Sequence, residues 1–227
     1  MTSTLRAFVA AFLILSASGA VSFLATGCST AEIDENDPAV LMKEAEEDIG
    51  SSRYIVALEK LQRVKNQHPY SSQAIDAQLR IADVYFLQEN FAEAAATYEA
   101  FKDLHPKHPK LPYSAYRVGL SFYSDMPGNH ARDLSAGYKA EEAFKEYLQR
   151  FPSAEYTADV QTKLAETRKI LAGKELYVAD FYYKRGMWEA AKGRYSKILN
   201  QYSDSPYVAD AQAKLKKIEE KPAEKTD

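Results

Sequence analysis

Two stretches decide the fold: Tyr54-Ile-Val-Ala-Leu-Glu-Lys-Leu-Gln-Arg-Val-Lys-Asn-Gln-His-Pro69 and Phe91-Ala-Glu-Ala-Ala-Ala-Thr-Tyr-Glu-Ala-Phe-Lys-Asp-Leu-His-Pro106. They lie 37 positions apart. Each opens on an aromatic, sets an alanine three places on (Ala57, Ala94) and a large residue four beyond that (Leu61, Tyr98), and closes on His-Pro. Ala140, Phe144 and Pro152 repeat the spacing, and Trp188, Ala191 and Tyr195 begin it again. Ahead of these, the small residues Ala45, Ala82 and Gly119 also stand 37 apart. Self-similarity at such a period marks a repeat array. Ala, Leu, Glu, Lys and Gln dominate, and alternating β-branched runs are absent, so the repeating unit is helical. The spacing has a packing logic. A small residue on the first helix lets the second approach, a small residue on the second receives the next pair, and proline ends the second helix. One pair cannot bury both its faces, so stacking is obligatory.

This pattern resembles the tetratricopeptide (TPR) repeat, and predicts an all-α, superhelical solenoid of about five helix hairpins over 38–218. The expected helices are 38–50 with 54–67, 73–88 with 91–104, and 111–124 with 133–150. A proline-free stretch from Glu155 to Arg185 reads as one long helix that Gly173 could soften. Helices 188–201 and 206–218 close the array. Asp125-Met-Pro-Gly-Asn-His-Ala-Arg132 is an insertion where Pro-Gly-Asn forces a turn. It divides the array into halves 38–124 and 125–218.

The chain has 227 residues, 29 Lys+Arg against 32 Asp+Glu, and a single cysteine. A hydrophobic share of 46% is too high for a wholly disordered chain. A net charge of -3 argues against nucleic acid as a dedicated partner. One cysteine excludes an intrachain disulfide and a cysteine-rich zinc site. Residues 1–27 carry one arginine, Arg6, and then an uncharged run from Ala7 to Gly27, the pattern of a secretory signal. Leu24-Ala-Thr-Gly-Cys28 resembles a bacterial lipobox, which implies cleavage before Cys28 and an N-terminal diacylglycerol and fatty acyl group on it; no other cofactor is expected. The competing reading is an uncleaved membrane anchor, since about 20 apolar residues can span a bilayer. Ser29, where aspartate would resemble an inner-membrane retention signal, points to the outer membrane. Residues 28–37 read as a lipidated tether and 219–227 as a charged, frayed tail.

Catalytic chemistry finds little support. The four histidines, 68, 105, 108 and 130, form no metalloprotease motif, and no glycine-rich loop follows a strand. His68 and His105 suit helix ends, and Pro106 spoils the helical spacing of His105 and His108 as a metal pair, so no metal site is expected. Two features point instead to binding. Tyr113, Tyr116, Leu120 and Tyr123 share one helix face. By the TPR pattern they line a concave substrate groove, with Met42, Glu46 and Ile49 in the first repeat and Asp76, Leu79, Asp83 and Phe86 in the second. The alternative is that the tyrosines are ordinary inter-repeat core. Charge is also uneven: 7 basic and 15 acidic residues over 29–105, against 12 basic and 7 acidic over 156–217. Different ends of the array therefore present different fields, or else carry idle surface charge.

The lipobox, Arg132-Asp-Leu-Ser-Ala136, Arg150-Phe-Pro-Ser-Ala-Glu-Tyr156 and Glu175-Leu-Tyr-Val-Ala-Asp-Phe-Tyr-Tyr-Lys-Arg-Gly-Met-Trp188 together resemble the BamD family, lipoproteins of the Gram-negative β-barrel assembly machinery. The resemblance implies an outer-membrane protein assembly factor with no enzymatic activity, lipid-anchored in the outer membrane and facing the periplasm. It implies a groove for unfolded outer-membrane proteins and docking on a POTRA domain of a BamA-type barrel subunit, with other assembly lipoproteins as further partners. Carried onto this chain, the docking residues are Glu175, Tyr182, Tyr183, Arg185 and Arg194. The rival is a TPR lipoprotein that contacts peptidoglycan or cell-division proteins.

Overall fold

The structure, a computed structural model, describes residues 34, 36–129 and 131–220. The signal segment, Cys28, most of the tether, His130 and the tail from 221 lie outside the described residues. Among the described residues every regular element is an α-helix: α1 Pro38–Gly50, α2 Tyr54–Gln67, α3 Ser72–Leu87, α4 Phe91–Leu104, α5 Leu111–Asp125, α6 Ser135–Arg150, α7 Thr157–Lys184, α8 Trp188–Gln201 and α9 Val208–Glu219. Local chemistry starts and stops them. Asp37 caps α1, its carboxylate accepting from the Ala39 amide at 2.7 Å, with Pro38 in the first turn. Ser71 caps α3 through the Ala74 amide at 3.1 Å. The turns α1–α2, α3–α4 and α7–α8 each hold one residue in the left-handed region, Ser52, Glu89 and Gly186, so the hairpin bend is the same each time. Between α5 and α6 the insertion takes that place.

Each helix packs mainly on those before and after it; α1 also reaches α3, and α5 reaches α7. The repeated small–large pairs form the spine of the stack. Ala57 and Leu61, Ala94 and Tyr98, Ala140 and Phe144, and Ala191 and Tyr195 are all fully buried. Gly119 is the tightest point. A Cβ there would stand 2.5 Å from two ring carbons of Phe144, so α5 and α6 approach more closely than alanine permits.

The long helix is continuous through the buried Gly173. It carries the first-helix pattern twice. Val160, Leu164 and Thr167 correspond to Ala77, Ile81 and Val84 of α3, and bury against the α5–α6 hairpin or, for Thr167, fully from solvent. Leu176, Ala179 and Tyr183 correspond to Leu79, Ala82 and Phe86, and pack under α8. α7 is thus two first helices run together without the second helix that should separate them. Two faces lose their cover as a result. Ala158, Thr162 and Ala165 are exposed but small or polar, and suit water. At the other end, Phe181 takes the place of the fully buried Val84 and is 44% exposed, beside Tyr177 at 54%.

Candidate functional site

The predicted groove positions fall on the first helices α1, α3 and α5. Met42 is half-buried and Glu46 exposed on α1, while Ile49 sits in the packed core of the first hairpins. On α3, Asp76 and Phe86 are half-buried, and Leu79 and Asp83 are nearly closed off from solvent. Tyr113, Tyr116, Leu120 and Tyr123 of α5 are all half-buried. The three tyrosines lie between the open and core positions expected of them, because each phenol reaches a carboxylate of a neighbouring repeat. Tyr113 Oη donates to Asp83 at 2.6 Å, Tyr116 Oη to Asp159 at 2.8 Å and Tyr123 Oη to Glu166 at 2.6 Å. Burial, reinforced by these carboxylates, raises the affinity of all three phenols for their protons. They act as neutral hydrogen-bond donors.

Asp83 is the hub. It also accepts from Tyr98 Oη at 2.5 Å and pairs with Arg80 at 3.1 Å, and Arg117 Nε donates to the same Tyr98 oxygen at 2.9 Å. The triad recurs at identical spacing, 15 and then 19 residues on. Tyr195 Oη donates to Asp180 at 2.6 Å, and Lys214 pairs with Asp180 at 2.7 Å. In the first repeat Leu61 replaces the tyrosine, and Arg80 meets Glu46 directly at 2.6 Å. In the third the acid is Leu120 and the aromatic Phe144, and the cation, Lys163, turns to Glu166 at 3.1 Å. A polar joint of acid, tyrosine and cation therefore locks successive first helices where the apolar spine thins toward the groove.

A cleft of about 410 Å³ opens across these helices, lined by Leu79 and Asp83 of α3, Pro112 and Tyr113 of α5, and Glu155 and Tyr156 just before α7. Tyr113 and Tyr156 form its aromatic wall, 5.9 Å between ring centres, and Tyr156 also stacks on Tyr116 at 4.6 Å. Such a site offers flat apolar surface with a carboxylate at its floor, and suits an extended segment carrying aromatic or aliphatic side chains. Tyr156 was invisible to the repeat arithmetic, since it stands in a loop where the period breaks.

At the other end of α7 the predicted docking residues separate into two kinds. Glu175 is internal, 1% exposed, and accepts from Lys197 at 2.5 Å, Arg194 at 2.8 Å and Tyr138 at 3.4 Å. Burial pushes its carboxyl up, but the hydrogen bonds from Lys197 and Arg194 outweigh that and hold it below its ordinary value. Tyr182 and Tyr183 are half-buried against the α8–α9 core. Arg185 is exposed, its guanidinium 4.0 Å from the centre of the Phe181 ring, and Arg194 keeps 43% of its side chain in solvent. Tyr177, Phe181, Arg185 and the outer side of Arg194 are therefore open to solvent, and Glu175 is the internal counter-charge of Arg194. Tyr177 and Phe181 lie within the motif that carries the resemblance but are not among its docking residues, and Tyr138 was not read from the sequence as part of this site, nor was Lys197. The offset that relates α7 to α3 would have found Phe181, which falls on the core position of Val84 with nothing to cover it, whereas Tyr177 falls on that of Arg80.

Among the described residues no helix is long and apolar enough to cross a membrane, and no group of three His, Cys, Asp or Glu side chains could hold a metal ion. Residues 34–225 match the family model described as YfiO, outer membrane lipoprotein. The chain belongs to this family. The outer membrane protein assembly factor BamD of Neisseria gonorrhoeae is 34% identical over 184 residues, 77% of this chain and 69% of that protein. BamD of Vibrio cholerae is 31% identical over 190 residues, 79% of each chain. A solved tetratricopeptide repeat protein from Parabacteroides merdae aligns at TM-score 0.41 and 15% identity, over 80% of this chain and 60% of that one.

Proposed function

We propose that the chain is an outer membrane protein assembly factor that works by binding and not by catalysis. Its cleft between α3, α5 and the start of α7 holds an extended, aromatic-bearing segment of an unfolded outer-membrane protein. The exposed end of α7 docks on a POTRA domain of a BamA-type barrel subunit. Cys28 carries diacylglycerol and a fatty acyl chain that fix the protein to the outer membrane on its periplasmic side, two or more chains being what stable anchoring needs.

The observation that supports this most strongly is the uncovered repeat face on α7. In α3 the equivalent positions Ala77, Ile81 and Val84 are closed by the preceding hairpin. On α7 the preceding second helix is missing: Phe181, in the place of Val84, faces solvent under the flat guanidinium of Arg185, and Tyr177 is exposed one turn before it. Exposed aromatics with an arginine are what interface centres are made of. Replacing Arg185 and Arg194 together by Glu is expected to abolish capture of the barrel subunit by the purified lipoprotein, while the helical circular dichroism is retained. Undiminished capture refutes the docking site. Mass spectrometry of the partners retained by the wild-type lipoprotein checks the wider assignment, since recovery of cell-wall fragments without a barrel protein is incompatible with it.

A further inference from the structure

The chain leaves the described structure at a defined place. Asn36 is held by Arg63, in the last turns of α2, and Asp37 caps α1. Asp34 stands six residue steps beyond Cys28, a reach of at most about 21 Å when fully extended. An acylated Cys28 therefore holds this end of the first hairpin close to the lipid headgroups. The α2–α3 turn, His68-Pro69-Tyr70-Ser71, stands at this same end, and Tyr70 is 102% exposed with no hydrogen bond among the described residues. Ser71 is anchored by its hydroxyl to His68 O at 2.7 Å, so the turn presents the ring from a fixed backbone. Arg63 and Lys65 are exposed on the last turns of α2 beside it, and Lys107, one period further along, occupies the position matching Tyr70 in the next turn and is also exposed.

We infer that the Tyr70 turn touches the headgroup region of the membrane that holds the lipid anchor, as a second and orienting contact. A tyrosine places its apolar ring and polar hydroxyl together at the water–lipid boundary. The flanking cations suit anionic headgroups. Ile55 is 72% exposed at the opposite end of α2, where the tether gives no reason for lipid contact, and so serves as an internal control. The inference rests on the anchoring of Cys28 proposed above.

The test uses the full-length lipoprotein in vesicles of phosphatidylethanolamine and phosphatidylglycerol containing lipids brominated at the top of the acyl chain. Trp188 is the only tryptophan, so Tyr70→Trp and Ile55→Trp are each made in a Trp188→Phe background. The Tyr70→Trp protein is expected to emit at shorter wavelength and to lose much of its emission to the brominated lipid, while the Ile55→Trp protein keeps a water-exposed spectrum. Flotation with the vesicles and equal quenching at both positions overturns the Tyr70 contact and leaves the anchor standing. Failure to float overturns the anchor and the contact together.

Discussion

Gly119→Ala tests the stacking directly. The added Cβ would stand 2.5 Å from Cδ1 and Cε1 of Phe144, and that ring is fully buried. Neither the ring nor the α5 backbone has room to yield, so the overpacking costs about 1–3 kcal/mol. Alanine returns about 1 kcal/mol of helix propensity. Gly193, inside α8, separates the two effects, because a Cβ there meets nothing within 4 Å. Gly193→Ala therefore carries the propensity gain alone, and the gap between the two variants is the steric cost by itself, about 1–3 kcal/mol. In a chain of this size each kcal/mol moves the melting point by about 2–4 °C, a difference that thermal and urea melts followed by far-ultraviolet circular dichroism resolve. Shrinking the ring in Gly119→Ala/Phe144→Leu should recover part of the loss. If the two single variants melt together, the close approach of α5 and α6 is wrong, and with it the repeat register on which the groove depends.

Tyr98→Phe removes the hydroxyl shared by Asp83 and Arg117; a loss of about 1.5–3 kcal/mol is expected for hydrogen bonds to charged groups, read from urea melts. Glu175 carries a pH signature. Its carboxyl is held below the ordinary 4.5, so its stabilisation is complete above that value and disappears as the pH falls through the depressed one. Glu175→Gln should therefore flatten the acid limb of stability against pH, and an unchanged limb would contradict the internal role given to this residue. Replacing Tyr113, Tyr116 and Tyr123 together by Ala should lower photo-crosslinking of unfolded barrel peptides and also lower the melting point, since their phenols tie α5 to its neighbours. Retained crosslinking would remove the tyrosines from the groove.

The helices were legible because their spacing is repetitive. The 37-residue period set the boundaries of α1 to α5 within one or two residues, and Pro69, Pro106 and Pro152 marked where second helices stop. The length of α7 was legible too, but its meaning was not. Nothing in the composition of 155–185 announces a missing partner helix, because an uncovered core position looks like any other apolar residue until the neighbour is placed. The groove was legible as a row of positions. Whether each tyrosine faced water depended on acids such as Asp159 and Glu166, which are 43 residues away from Tyr116 and Tyr123. The resemblance gave Glu175 as a docking residue, and its internal place was not legible because its two cations come from a different helix.

The unbroken α7 has a mechanical consequence. At about 1.5 Å per residue its 28 residues make a rod of about 42 Å. Residues next to the aromatic cleft stand at one tip and the Phe181–Arg185 surface at the other. A rod held together by its own backbone hydrogen bonds tilts as one piece, so a load that levers the cleft tip must swing the opposite tip, and whatever grips that tip resists the load in return.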